Sequence, residues 1–198
     1  MASEDTKLPH RIPQARYPKV NTKTLTMIGL MTAVLCVLGP WAITIPFSPI
    51  PFSLGTLGVY LVVIVPGRRA GTVSILLYLL LGLVGVPVFT GFMGGPAKVF
   101  GPTGGYLLGY IFMALICGFA VERYAGNLYM RLLGMCLGTL VCYLFGSAWM
   151  AYQLELSFAE ACIMGALPYL PGDLLKILFA NALGGKLRIS LLRAGLLK

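Results

Sequence analysis

One acid and one base lie three residues apart near the C-terminal end, in the stretch Tyr169-Leu-Pro-Gly-Asp173-Leu-Leu-Lys176. On a helix, this spacing places the two side chains on one face. The flanking sequence is so apolar that we expect this face to look into protein or water rather than lipid. Charge inside a membrane is costly and seldom present without a use. The pair therefore either joins helices as an ion pair or contacts a ligand.

The chemistry of Asp173 and Lys176 favours a ligand. A lysine can hold an anionic group, and a carboxylate can accept hydrogen bonds from N–H groups. Together they suit a small molecule with an acid at one end and N–H donors at the other.

The composition indicates the elements that must position this pair. Of the 198 residues, 58% are hydrophobic and 11% are charged, whereas soluble domains carry about 25% charged residues. The apolar runs are long and continuous, which favours helices over the alternating strands of a barrel. At ~20 residues per span, the chain predicts one integral membrane domain with six or seven helices.

Hydropathy and turn residues place six spans. They are predicted at about residues 24–43, 53–65, 70–86, 105–121, 131–152 and 171–187. Residues 158–184 form either one kinked helix or two pieces. We predict two pieces, since Ser157 and Glu160 fit a capping box for a short helix ending near Leu167. Pro171 then suits the first turn of the last helix.

The basic residues predict the orientation. Thirteen of the fifteen Lys and Arg residues fall on one side of this six-helix arrangement, Lys98 is on the other side, and Lys176 is in the membrane. By the positive-inside rule, both termini are cytoplasmic. We therefore expect a flexible basic tail over 1–22, a single membrane domain over 23–198, and no role in binding nucleic acid.

Three irregular segments fall on the predicted outer side. They are the Pro-rich loop 46–52, the Gly-rich stretch 85–105 and the segment leading into Asp173. Irregular backbone at membrane depth is tolerated only where protein or water surrounds it. We therefore expect an outward-facing pocket that loops can close. Lys98 in the Gly-rich stretch either attracts an anion or lies in a solvated loop.

Several function classes lack the residues they need. The only histidine is His10, no Cys-x-x-Cys occurs, and no phosphate-binding loop is present. We expect no metal, no cofactor and no ATP site in this chain. An intramembrane enzyme would need Ser74 or Ser147 as its nucleophile. Its general base would have to be Asp173 or Lys176. We expect that the chain is not an enzyme.

The first span carries a small-xxx-small pattern at Gly29 and Ala33. Small residues let another helix approach closely. That helix belongs either to this chain or to a partner.

Four blocks carry a resemblance to a known family. In order, they are residues 46–60, 78–89, 101–109 and 169–176. Together they resemble the BioY family, the biotin-binding subunits (S components) of energy-coupling-factor (ECF) vitamin transporters. The resemblance runs from about residue 25 to 185.

The resemblance implies a six-helix subunit of the bacterial cytoplasmic membrane that captures biotin from outside. It implies as partners a transmembrane coupling protein (the T component) and two ABC-type ATPases, although it leaves open whether a dedicated ATPase module is needed. Gly29 and Ala33 match small residues that face the coupling protein, and Asp173 and Lys176 match the family's acid and base. This chain departs from the family pattern at Gly55, where many relatives have Gln. Relatives can also carry a polar or basic residue in the Gly-rich loop, and the candidates for that position here are Met93 and Lys98.

Biotin fits the expected pocket, since its ureido ring offers N–H donors and its valerate is anionic. We hypothesise that Asp173 accepts from the ring and that Lys176, with Lys98, holds the carboxylate. Alternatively, Asp173 and Lys176 pair first and the ligand bridges them. The expected apolar wall comprises Tyr60, Tyr78, Phe89, Phe92 and Tyr106.

Three other functions compete with biotin capture. They are a similar subunit for another vitamin, an intramembrane enzyme, and a stand-alone channel or carrier. We see no inverted repeats, which many carriers contain. Six spans without a nucleotide-binding site favour a subunit that depends on a separate partner to supply the energy for transport.

Overall fold

A computed structural model describes residues 22–43 and 51–196, most of them in helices. The helices are α1 (Thr22–Leu38), α2 (Gly55–Ile64), α3 (Arg68–Leu83), α4 (Pro96–Val99), α5 (Gly104–Arg123), α6 (Leu128–Leu154), α7 (Phe158–Gly165) and α8 (Leu170–Arg193). A short antiparallel ribbon joins β1 (Ala42–Ile43) to β2 (Phe52–Ser53). The predicted tail, apart from Thr22, and residues 46–50 of the Pro-rich loop lie outside the described residues.

Within the described ranges, three segments are long and apolar enough to cross a membrane: α5, α6 and Phe158–Arg193. This confirms the predicted all-helical membrane class. In the part of the chain that the structure describes, six helices have ten residues or more, but α2 has only 10. At 1.5 Å per residue, α2 rises about 15 Å, half of a bilayer core. The sequence predicted neither the β ribbon nor α4.

Four predicted boundaries differ from the helix ends by three residues or more. The first span was predicted to reach residue 43, but α1 ends at Leu38, and the last was predicted to end at 187, but α8 continues to Arg193. The third span was predicted to reach residue 86, but α3 ends at Leu83. The fifth was predicted to start at 131, but α6 begins at Leu128. There the Asn127 side chain accepts a hydrogen bond from the Met130 N–H at 3.2 Å. Such a polar cap adds a helical turn that hydropathy does not reveal.

The short helix α2 lies at the centre of the fold. Its sequence is apolar on all sides, as expected of a buried helix. Its buried residues are Gly55, Gly58, Val59, Tyr60, Leu61, Val62, Val63 and Ile64. It packs against α8, α5, α1 and α3. At its C-terminal end, Arg188 of α8 donates to the Ile64 carbonyl at 2.9 Å, so α2 is fixed to α8.

Small residues let α5 and α6 pack closely. A Cβ added to Gly109 would lie 2.9 Å from Cys142 Sγ, and one on Gly138 would lie 2.5 Å from Cys117 Sγ. Close backbone approach of this kind is typical of membrane helices. The packing brings Tyr106 of α5 against Tyr143 of α6, with ring centroids 6.2 Å apart.

The segment before α8 confirms the two-piece prediction. Ser157 Oγ accepts from the Glu160 N–H at 3.3 Å, and the Glu160 carboxylate accepts from the Ser157 N–H at 2.9 Å, which is a capping box. A 3₁₀ turn, Leu167–Tyr169, leads directly into α8, with Pro171 in its first turn. The two pieces are joined by this turn, and it starts α8 with Asp173 and Lys176 facing inward.

Candidate functional site

Asp173 and Lys176 form a buried ion pair. Lys176 Nζ lies 2.9 Å from Asp173 Oδ1. Lys176 is 8% exposed and Asp173 is 2% exposed. This confirms that they share one inward face. Two other helices contact the carboxylate: Thr56 of α2 donates to Oδ1 at 3.1 Å, and Tyr143 of α6 donates to Oδ2 at 2.5 Å.

The Lys176 ammonium uses all three of its donors within the chain. Besides Asp173, it donates to the Ser53 carbonyl at 2.7 Å and to Thr56 Oγ1 at 3.0 Å. It also lies 3.8 Å from the centroid of the Phe52 ring, a cation–π contact. Buried charges are tolerated when they are paired and fully hydrogen-bonded. The pair is therefore a neutral unit that ties α8 to α2, α6 and β2.

The pair forms one wall of a partly open cavity of about 50 Å³. The lining combines hydroxyl groups with aromatic rings: Pro51, Phe52, Ser53, Thr56, Tyr106, Tyr110, Met113, Thr139, Cys142, Tyr143, Tyr169, Asp173 and Lys176. A buried water needs at least ~10–15 Å³ of such space, so the cavity has room for a few water molecules. Hydroxyls can donate and accept, so the lining suits a neutral polar ring flanked by apolar groups.

A second, more open groove also borders Asp173. It lies between α6 and α8, has a volume of about 290 Å³, and is lined by Cys136, Thr139, Leu140, Leu170, Asp173, Leu174 and Ile177. Asp173 and Thr139 line both the cavity and the groove. The surface between α6 and α8 is therefore grooved beside the acid.

Tyr60 was predicted as a wall residue but is not among the cavity-lining residues; it is hydrogen-bonded to Thr139, which lines the cavity. Its hydroxyl is 2.6 Å from Thr139 Oγ1. Because Thr139 donates its own proton to the Met135 carbonyl at 2.8 Å, Tyr60 is the donor to Thr139. This chain of hydrogen bonds satisfies the buried hydroxyls.

The predicted wall residues divide into two groups. Tyr106 lines the cavity. Tyr78 and Phe89 instead pack against each other in the core, with ring centroids 5.4 Å apart, and Phe92 is 60% exposed against Trp41. None of these three is among the cavity-lining residues.

Lys98 also lies away from the cavity lining. It lies in α4 and is half-buried, and this burial lowers its pKa from the ordinary value. A role in guiding or holding an anion stays a prediction.

Sequence reasoning missed several site residues. Thr56, Tyr110 and Tyr143 were not selected, although each puts a hydroxyl at the cavity. One signal was present: Thr139 and Tyr143 are four residues apart in an apolar span, a spacing that places both on one helix face. No comparable pattern marks Thr56.

Gly29 and Ala33 lie on the outer surface of α1, and both are exposed. A Cβ on Gly29 would meet nothing within 4 Å. The small-residue face is therefore not used for packing within the described residues.

The Gly55 position is filled by a neighbouring side chain. A Cβ there would lie 2.9 Å from Tyr110 Oη and 3.2 Å from Ser53 Oγ. In this chain, the phenol of Tyr110 thus reaches the space that a side chain at 55 would take.

We expect Gly55→Ala to displace the Tyr110 phenol and lower stability by about 1–3 kcal/mol, the usual cost of overpacking. Tyr110→Phe removes the oxygen nearest the added methyl group, so the double variant should regain part of the loss. Thermal unfolding of the four proteins measures this. Equal stability of Gly55→Ala and the double variant would mean that Tyr110 is not the group that is displaced.

The fold and this site define a class: a multi-pass helical membrane protein with a buried acid–base pair facing a small, partly open cavity. Comparison with known proteins narrows the class. The sequence model of the BioY family matches residues 12–193, and the chain belongs to that family.

Individual relatives agree with this assignment. The chain is 34% identical to the biotin transporter BioY2 of Lactococcus lactis over 88% of this chain and 93% of that protein. It is 33% identical to the biotin transporter BioY of Thermotoga maritima over 84% and 96%. A crystal structure of the S component for biotin from an ECF-type ABC transporter matches with a TM-score of 0.78 at 31% identity, over 84% of this chain and 91% of that one. The relatives are transporters, not enzymes.

Proposed function

We propose that the chain is the membrane-embedded biotin-binding subunit of an ECF-type transporter. It captures biotin and mediates its uptake together with an energy-coupling module. The observation that carries the proposal is the buried Asp173–Lys176 pair beside a cavity of hydroxyls and aromatic rings, in a chain whose relatives are biotin transporters.

The ureido ring of biotin is neutral and carries both N–H donors and a carbonyl acceptor. Asp173 Oδ2 accepts one bond, from Tyr143, and keeps a lone pair for a ring N–H. The hydroxyls of Tyr110 and Tyr143 line the same cavity and can meet the other ring atoms. We therefore assign the ring to the intact acid–base pair, with Tyr106 against its apolar edge.

The valerate carboxylate needs a different partner. Lys176 already gives its three donors to Asp173, Thr56 and Ser53, so taking an anion would break bonds within the chain. We assign the carboxylate to Lys98, and Phe92, exposed in the same loop, is proposed to cover it. This arrangement requires the Gly-rich loop to close over the ligand.

Biotin binding requires the cavity to widen, because about 50 Å³ holds only a few waters. Two walls are suited to move. β2 supplies Phe52 and Ser53 from outside the helical core, and a surface groove lies between α6 and α8 beside Asp173. Tyr78 and Phe89 stay in the core and act as packing residues behind the wall.

The proposed partners rest on the family to which the chain belongs and on the exposed face of α1. We propose six spans with cytoplasmic termini in the bacterial cytoplasmic membrane and a pocket facing outward. The exposed Gly29–Ala33 face of α1 would contact the T component. Two ABC-type ATPases would hydrolyse ATP, and this chain would bind no cofactor of its own.

Equilibrium binding of labelled biotin to the purified full-length chain tests the proposal. We expect saturable binding that unlabelled biotin displaces and that unrelated vitamins do not. Absence of saturable binding would overturn the biotin assignment, and equal displacement by an unrelated vitamin would favour a subunit for that vitamin.

A further inference from the structure

Thr56 connects both members of the acid–base pair. Its Oγ1 accepts from Lys176 Nζ at 3.0 Å and donates to Asp173 Oδ1 at 3.1 Å. Within residues 22–43 and 51–196, no other side chain is hydrogen-bonded to both. Building on the proposed function, we propose that Thr56 is a positioning residue: it holds the pair in the arrangement that receives the ligand and leaves Asp173 Oδ2 for that ligand.

The hydrogen bonds assign different tasks to the two carboxylate oxygens. Oδ1 accepts from both Thr56 and Lys176, so its two lone pairs are used. Oδ2 accepts only from Tyr143 among the described residues. Without the Thr56 hydroxyl, Oδ1 loses one donor and Lys176 loses one acceptor. The flexible Lys176 side chain can then shift toward Asp173 Oδ2 and occupy the position that we assign to the ligand.

The backbone around Thr56 is fixed independently of a ligand. Thr56 lies in the first turn of α2, whose other end is tied to α8 through Arg188 and the Ile64 carbonyl. The Ser53 carbonyl just before α2 accepts from Lys176. The hydroxyl is therefore presented by the packed core, as positioning requires.

The test compares biotin affinities of full-length variants. Thr56→Val keeps the shape and removes the hydroxyl, and it should weaken binding at least 10-fold. Thr56→Ser keeps the hydroxyl and should stay within threefold of wild type. Thr32→Val is the control for removing a threonine hydroxyl from a helix. Thr32 is buried in α1 and donates to the Ile28 carbonyl at 2.9 Å and the Ser74 carbonyl at 3.2 Å. It is not among the cavity-lining residues, so the variant should stay within threefold.

A double-mutant cycle with Lys176→Met separates positioning from direct contact. If Thr56 acts through the pair, Thr56→Val should cost less than threefold in the Lys176→Met background. If that background binds too weakly to measure, unfolding temperatures without biotin complete the cycle and should be less than additive. Wild-type affinity in Thr56→Val, loss in Thr56→Ser or additive effects would each overturn the positioning role. Absence of biotin binding by the wild type would instead overturn the proposed function.

Discussion

Replacing Asp173 with asparagine is expected to weaken biotin binding by about 10- to 100-fold, because a hydrogen bond to a charged group contributes about 1.5–3 kcal/mol. The variant loses the oxygen that we assign to a ring N–H. It also leaves the Lys176 ammonium buried beside a neutral amide, and that ammonium then competes for any ligand acceptor. Equilibrium titration of the purified variant with labelled biotin measures the loss.

A lost charge also lowers stability, so the experiment needs a variant that separates the two effects. Replacing both members of a buried pair by neutral groups is often close to neutral for stability. Asp173→Asn with Lys176→Met should therefore regain much of the unfolding temperature without regaining biotin binding. Recovery of binding in the double variant would leave the pair only a structural role.

Glu160→Gln is the matched control for the loss of a carboxylate. Glu160 is exposed and caps α7, so its replacement should leave affinity within twofold of wild type. Wild-type affinity in Asp173→Asn itself would contradict the ligand contact.

The acid–base pair was predictable because its signal is local. Two charges three residues apart in an apolar stretch share a face, and Pro171 marks the start of their helix. The capping box at Ser157 is local as well. The groups that complete the site come from α2 and α6: Thr56 is 117 residues from Asp173, and Tyr143 is 30 residues away. Periodicity identifies a buried face but not the helix that will pack against it.

The aromatic residues show a different limit. Tyr78 and Phe89 were expected at the ligand wall, but they pack together in the core. Gly82 leaves room for this, since a Cβ there would collide with the Phe89 ring. Cavity walls and protein cores both use buried aromatic rings, so residue type alone does not distinguish them.

The central position of α2 was also beyond the sequence signal. Residues 53–65 read as a short span, and the helix covers Gly55–Ile64. What hydropathy could not show is that such a half-length helix is enclosed by α1, α3, α5 and α8. This enclosure brings Thr56 to the pair and explains why a hydroxyl in an apolar segment is part of the site.

A large side chain on the exposed face of α1 should impair uptake while sparing binding. We expect Gly29→Leu and Ala33→Leu each to reduce biotin uptake by about 10-fold or more in cells with an intact coupling module, because close helix approach depends on small residues. A Cβ on Gly29 meets nothing within 4 Å. The isolated subunit should therefore keep its fold and bind biotin within twofold of wild type.

Gly185→Leu provides the matched control for this experiment. Gly185 also lies in a helix, and a Cβ there meets nothing within 4 Å, but α8 is not the proposed partner face. This variant should retain both uptake and binding. Loss of binding in Gly29→Leu or Ala33→Leu would indicate misfolding, and an equal loss of uptake in Gly185→Leu would mean that any added bulk in the membrane suffices. Normal uptake in both α1 variants would remove α1 as the contact for the coupling protein, because a leucine in a packed helix interface cannot be accommodated without separating the two backbones.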